Sequence, residues 1–276
     1  MNLHYLKFKK MKKIFLLSLI SVFVFASCKK DKKDDVKQDG TTPVSEYKLI
    51  KKDTASNDLI VELFAKTETI EMGYTKLYVK VKDLNGNAVE NAMVSFMPMM
   101  DMGSMQHSSP FENPVFKSSS KFYEGMVIFT MASDHGTWEL TVTVNGEDVD
   151  LPINVLSSPT GIKNVGSYNG TDGKKYIVSL VRPVKWVMGV NDISVMVHRG
   201  ESMMMSFPPV DDFTIEMDPQ MTSMGHGSHN NISPTSDGNG YYSGKVTYTM
   251  TGDWKINLDL IKDGDLIANA DLDILF

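Results

Sequence analysis

The 276-residue chain carries a single cysteine, Cys28. One thiol cannot close a disulfide within the chain, and it cannot build a thiolate-cluster metal site. Sustained 3.6-residue apolar periodicity is missing beyond residue 27, which removes helical bundles from consideration. Basic patches are missing as well. With the first 27 residues set aside, 23 Lys and Arg stand against 34 Asp and Glu, a net charge of −11 with neutral histidines. Nucleic-acid binding depends on clustered cations that release counterions, so no nucleic-acid partner is expected. No Ser-His-Asp order, glycine-rich phosphate loop or clustered acidic pair stands out, and Asp134-His135 alone is too common to argue catalysis. No enzymatic activity is expected.

What is present begins with a leader. Lys7, Lys9, Lys10, Lys12 and Lys13 precede an apolar run from Ile14 to Phe25, and Ala26-Ser27 places small residues before Cys28. So short a run does not span a bilayer as a permanent helix and reads as a signal peptide, residues 1–27. Phe25-Ala26-Ser27-Cys28 resembles a bacterial lipoprotein box, which implies cleavage before Cys28 and a lipid on its sulfur. The alternative is a plain secretory signal that leaves a free thiol. Residues 28–46, with Lys and Asp in alternating blocks, read as a solvated tether. The expected location is the cell envelope, anchored by lipid to the outer membrane.

From Tyr47 the chain alternates apolar and polar residues in short runs. Leu77 to Val81 leads to Asn85-Gly86, and Ala92 to Met97 is expected to return as the partner of a hairpin. Trp138 to Val144 alternates cleanly, turns at Asn145-Gly146 and returns through Leu151 to Leu156. These features recur. Ile177 to Leu180 echoes Ile60 to Leu63, Met188-Gly189 echoes Met72-Gly73, and Ile193 to Val197 echoes Leu77 to Val81. Tyr242, Gly244, Val246, Thr249 and Met250 repeat Tyr123, Gly125, Val127, Thr130 and Met131, and the closing hairpin returns as Trp254 to Leu260, Asp263-Gly264 and Leu266 to Phe276. A period this long is a domain duplication, since solenoid repeats are far shorter. The expected fold is all-β: two tandem immunoglobulin-like antiparallel β-sandwiches, at 47–157 and 175–276, joined by a Ser-, Gly-, Asn- and Pro-rich linker at 158–174.

Methionine is the compositional anomaly, 20 residues of which six fall between Met93 and Met105. At a constant offset of 119, Met102 aligns with Met221, Ser104 with Ser223, Met105 with Met224 and His107 with His226. Thioether sulfur is a soft, uncharged donor that suits Cu(I), and imidazole completes such a site or captures Cu(II). Candidate metal ligands are Met217, Met221, Met224, His226 and His229 in the second copy, and Met99, Met102, Met105 and His107 in the first. Met97 and Met100 are alternates, and His135 joins if its turn lies beside the loop. Methionine is also a flexible gap-filler, so the same loops suit packing or a partner surface. Met131 and Met250, within strand patterns, read as core, and His198 reads as polar surface. Met203-Met204-Met205 has no counterpart in the first copy.

The order of Met217 to His226, Tyr242 to Met250 and Gly252-Asp253-Trp254, with Gly136-Thr137-Trp138 in the first copy, resembles the YtkA-like (FixH-related) envelope domains. The resemblance covers about 100 residues in each half and implies an immunoglobulin-like sandwich, often encoded with copper or heavy-metal functions. The first copy departs from the pattern, with Gln106 in place of Gly225 and nothing to match His229. The functional expectation is a lipid-anchored copper-binding protein that handles the ion or delivers it to a partner protein. The alternative is a structural or adhesive surface module whose methionine loops touch a protein or glycan.

Overall fold

The computed structural model describes residues 46–183 and 185–276. The expected signal peptide, Cys28 and all of the expected tether but Glu46 lie outside the described residues. Among the described residues no helix is long and apolar enough to cross a membrane. Over the described residues the fold is all-β, two tandem sandwiches, with one 3-10 turn at Ser133–His135.

The first sandwich contains β1 (Lys48–Thr54), β2 (Ile60–Ala65), β3 (Ile70–Glu71), β4 (Gly73–Lys82), β5 (Val94–Asp101), β6 (Gln106–His107), β7 (Phe111–Lys117), β8 (Phe122–Phe129), β9 (Thr137–Val144), β10 (Glu147–Ile153) and β11 (Val155–Leu156). A five-stranded sheet, β1-β2-β4-β8-β7, faces a four-stranded one, β10-β9-β5-β6. The second sandwich repeats the plan with β12 (Val165–Asn169), β13 (Lys175–Arg182), β14 (Gly189–Gly200), β15 (Thr214–Met221), β16 (His226–Gly227), β17 (Ile232–Gly238), β18 (Tyr241–Tyr248), β19 (Asp253–Lys262) and β20 (Asp265–Leu275). Its sheets are β12-β13-β14-β18-β17 and β16-β15-β19-β20.

Period-two alternation places every second residue between the sheets. Leu63, Val79 and Phe129 from the larger sheet meet Phe96, Leu140 and Val142 from the smaller one. The second core is built alike, with Val178, Val195 and Tyr248 against Ile256, Leu258 and Leu272. A tyrosine clamps the same corner in each copy. Tyr123 donates to the Val89 carbonyl and accepts from the Ala92 amide, both at 2.8 Å, as Tyr242 does with Val210 and Phe213 at 3.0 and 3.1 Å.

Three details differ from the sequence expectations. Asn85-Gly86 does turn the chain, with the Asp83 amide donating to the Asn87 carbonyl at 2.9 Å, but the next strand is not a hairpin partner. Whereas β4 pairs with β2 and β8, β5 crosses to the other sheet and pairs with β9. The second difference is in the stretch 158–174: it includes β12, which pairs along β13, so the second sandwich starts nearer residue 165 than 175. Third, the pairing is not purely antiparallel, since β11 runs parallel to β3. The Asn145-Gly146 and Asp263-Gly264 hairpins form as read, with both residues of each turn at positive φ.

The sandwiches share a face. Met126 and Ile128 of β8 form one buried cluster with Val165, Ile177 and Met196 of the second module, so the two five-stranded sheets meet at a seam. The four-stranded sheets carrying β5 and β15 lie on the far side of each core from that seam.

Candidate functional site

The methionine segments fold as short hairpins at the free end of each four-stranded sheet. In the first, β5 returns as β6 with Met100 opposite His107 and Asp101 opposite Gln106. The turn is closed by the Met102 amide donating to the Met105 carbonyl at 3.0 Å and by Gly103 at φ +79°, a left-handed conformation natural to glycine. In the second, β15 returns as β16 with Met221 opposite His226, and Gly225, at φ +64°, donates to the Met221 carbonyl at 2.9 Å. The first hairpin is therefore two residues longer. That length difference shifts the alignment of the copies: Met100, not Met102, holds the place of Met221.

Each hairpin is clamped by a carboxylate. Asp101 accepts from the Gly103 amide at 2.7 Å and from Gln106 Nε2 at 3.1 Å, and these bonds, the amide first, hold its carboxyl below the ordinary range. Asp253 accepts from the Ser223 and Thr222 hydroxyls at 2.5 and 3.0 Å, with the same consequence.

A row of three side chains crosses the sheet at the base of each hairpin. Met100 has His107 opposite it on one neighbouring strand and Trp138 on the other; Met221 stands likewise between His226 and Trp254. Residues directly opposite in antiparallel strands project from the same face, so all three point inward. The His107 and Trp138 rings are 5.6 Å apart at 88°, and those of His226 and Trp254 are 5.5 Å apart at 83°. Met100 and Trp138 are buried, as are Met221 and Trp254, while His107 is 8% exposed and His226 half-buried.

The histidines share a protonation pattern. His107 Nδ1 lies 2.8 Å from the Ser108 carbonyl and His226 Nδ1 lies 3.2 Å from the Gly227 carbonyl. A carbonyl only accepts, so Nδ1 carries a proton, and in the neutral ring the lone pair falls on Nε2. In both residues Nε2 is buried and has no partner. Burying a polar atom without a hydrogen bond costs about 1–3 kcal/mol, and here the same cost recurs at equivalent places.

The Gly-x-Trp motif has a packing explanation. A Cβ on Gly136 would come within 2.4 Å of the Asp101 carbonyl oxygen and 3.0 Å of the Met100 methyl; one on Gly252 would come within 2.4 Å of the Met221 methyl. Glycine thus makes room for the buried methionine beside the tryptophan. The indoles are anchored too, with Trp138 Nε1 donating to the Met131 carbonyl at 2.9 Å and Trp254 Nε1 to that of Met250 at 3.3 Å. Met131 and Met250 pack on their cores as expected, though from bends just past the strands.

The other expected ligands are dispersed. Met105 and Met224 stand two residues before their histidines on the turns, 56% and 62% exposed. Met102 and Met217 are half-buried and pack against the cores. Met99 and Met97 occupy the face of β5 opposite Met100, and His229 is exposed beyond β16. His135 is exposed and faces its neighbour Asp134 at 3.4 Å, and its turn does lie beside the hairpin, since a Cβ on the next residue, Gly136, would come within 2.4 Å of the Asp101 carbonyl oxygen. His198 is a correction: far from being polar surface, it is buried on β14 on the same face as Met196, bridged to Pro209, with Nδ1 unpartnered. Burial lowers its pKa to about 4, with Asp211 pulling weakly the other way. Met204 joins the seam cluster, and its carbonyl accepts from the Ser108 amide at 2.9 Å.

Sequence reasoning passed over Trp138 and Trp254 as site residues and left Met100 an alternate. The signal for them was the glycine two places before each tryptophan.

These features define a tandem immunoglobulin-like sandwich protein with one His-Met-Trp row in each copy. Residues 172–259 match the model of the YtkA-like family, so the second sandwich carries a YtkA-like domain. The match runs from just before β13 into β19 and leaves the first sandwich outside it. No curated protein matches the chain. Among solved structures, the FdeC adhesin of Escherichia coli is 14% identical with a TM-score of 0.26, covering 82% of this chain and 65% of that one. The S-layer protein SbsC, domains 5-6, is 14% identical with a TM-score of 0.30, over 82% and 98%. The titin Ig tandem A164-A165 is 14% identical with a TM-score of 0.18, over 75% and 90%.

Proposed function

We propose that this is a lipid-anchored cell-envelope protein that binds copper, as Cu(I), through its two methionine- and histidine-bearing hairpins, and that it hands the ion to a partner protein. The observation that carries the reading is the pair of buried, unpartnered Nε2 atoms of His107 and His226, each opposite a buried methionine. An imidazole whose Nδ1 proton is tied to a backbone carbonyl has its other nitrogen oriented as a metal ligand. Thioether supplies the second donor without a proton to displace, which selects soft Cu(I) over oxygen-seeking ions. Among the described residues no three His, Cys, Asp or Glu side chains converge, so a site on either histidine draws its further donors from methionine. Exposed on the turns, Met105 and Met224 would capture the ion from solvent and release it again.

Anaerobic titration of the full chain carrying Cys28→Ser, with Cu(I) against a competing chelator, tests this. Two equivalents are expected, falling to one when Met221, Met224 and His226 are replaced together. Absence of competition would remove the copper reading and favour a surface module that uses the methionine turns as contacts.

A further inference from the structure

We propose that Trp138 and Trp254 belong to the metal sites: each indole forms the inner wall against which Cu(I), held by the paired histidine and buried methionine, makes a cation–π contact. The proposal deepens the copper reading and rests on it. The observations behind it come in duplicate. In each copy the tryptophan and the histidine flank one methionine on a single cross-strand row, and their rings lie 5.6 and 5.5 Å apart, close to perpendicular. An ion held by Nε2 on the side of the imidazole that faces the indole would lie within the roughly 6 Å over which an indole attracts a cation.

The indole N–H is not the missing partner of Nε2, because it is spent on the carbonyl of Met131 or Met250. That bond also fixes the ring, so the π-system is oriented before any ion arrives. Packing alone would not need a histidine here, since an apolar side chain would fill the same space without burying an unpaired nitrogen. Gly136 and Gly252 support the arrangement, because a methyl group at either position would press on the buried methionine's terminal methyl. Cu(I) accepts low coordination numbers, so one nitrogen, one or two thioethers and an aromatic face form a complete and dry site. Water is excluded from the inner side, and the ion is shielded from oxidation while the outer methionine exchanges it.

The test is tryptophan emission during anaerobic Cu(I) titration in a Trp186→Phe background, which leaves only the two site tryptophans. Emission is expected to fall in proportion to copper bound and to saturate at the stoichiometry found by chelator competition. Trp254→Phe is expected to weaken the second site about tenfold, and Met221→Leu by a similar factor, with the first site unchanged. Copper bound at full stoichiometry with unaltered emission overturns the proposal and leaves the copper reading standing. A Trp254→Phe protein that folds and binds with unchanged affinity does the same. If that variant does not fold, the emission of the parent decides. Absence of any copper binding overturns both.

Discussion

The two hairpins solve one packing problem with different chain lengths. From Met100 to His107 the first uses two residues more than the second does from Met221 to His226, yet both end with the histidine opposite the methionine and across from a tryptophan. What varies is the cover. The aromatic behind Trp138 is Phe129, at 5.3 Å, whereas Trp254 has Tyr248 at 4.8 Å, whose hydroxyl is buried without a partner. His107 is the more deeply buried histidine, and the turn before it is longer. The constant element is the row at the sheet, and the variable one is the turn that closes over it. Binding that depends on the row will match between copies, and exchange that depends on the turn will differ.

The largest test of equivalence is truncation of the row itself. Trp138→Ala and Trp254→Ala each remove a buried indole and should cost roughly 3–5 kcal/mol in urea denaturation. Unequal losses would mean that the two cores do not depend on their tryptophans alike.

Next comes a feature only one copy has. His198 occupies in β14 the place of Lys82 in β4: Ile177 pairs with His198 as Ile60 pairs with Lys82. Lys82 reaches water and pairs with Glu62 at 2.7 Å, while His198 is buried on the face of β14 that carries Met196 into the seam. With its pKa near 4 in the folded protein and near 6.5 unfolded, His198 binds its proton more readily in the unfolded chain. Stability should therefore fall as pH drops from about 6.5 to about 4, by on the order of 2–3 kcal/mol, with no such contribution above that window. His198→Leu should flatten this part of the profile; an unchanged slope would place the sensitivity elsewhere.

Smaller effects follow from the glycines. Gly136→Ala meets a backbone carbonyl, which cannot yield, and Gly252→Ala meets a methionine methyl, which can, but at φ +137°. Each should cost about 1–3 kcal/mol by thermal melting, and each should also weaken copper binding in its own site alone. The smallest expected effect is that of Tyr248→Phe, which gives the second copy the first copy's wall. Losing an unpartnered buried hydroxyl should be neutral or stabilising by up to about 1 kcal/mol.

Much of the fold was legible because it is local. Alternation in Trp138 to Val144 and Trp254 to Leu260, with Asn-Gly or Asp-Gly turns after them, specifies hairpins from residues within reach of one another. Asn85-Gly86 carries the same signal, but a turn fixes only a reversal, and the choice of sheet for β5 is made by distant pairing with β9. The seam was unreadable for a related reason: β8 is buried on both faces, and a continuous apolar run does not say which neighbour covers it. At the site, the histidines were found by composition and the turn methionines by spacing. Met100 was misplaced because a constant offset ignores a hairpin's length, and His198 because it lies on the strand face that carries Met196 into the seam.

The seam has a calorimetric consequence. With Met126 and Ile128 sealed against Ile177 and Met196, neither sandwich unfolds without exposing its neighbour, so the pair should melt in one transition. A ligand held by either module then raises a common midpoint, and at a hundredfold excess over its Kd it adds about 2.7 kcal/mol to both. Occupancy of one hairpin would thus be reported as heat resistance by the other, even if no signal passed between their binding sites.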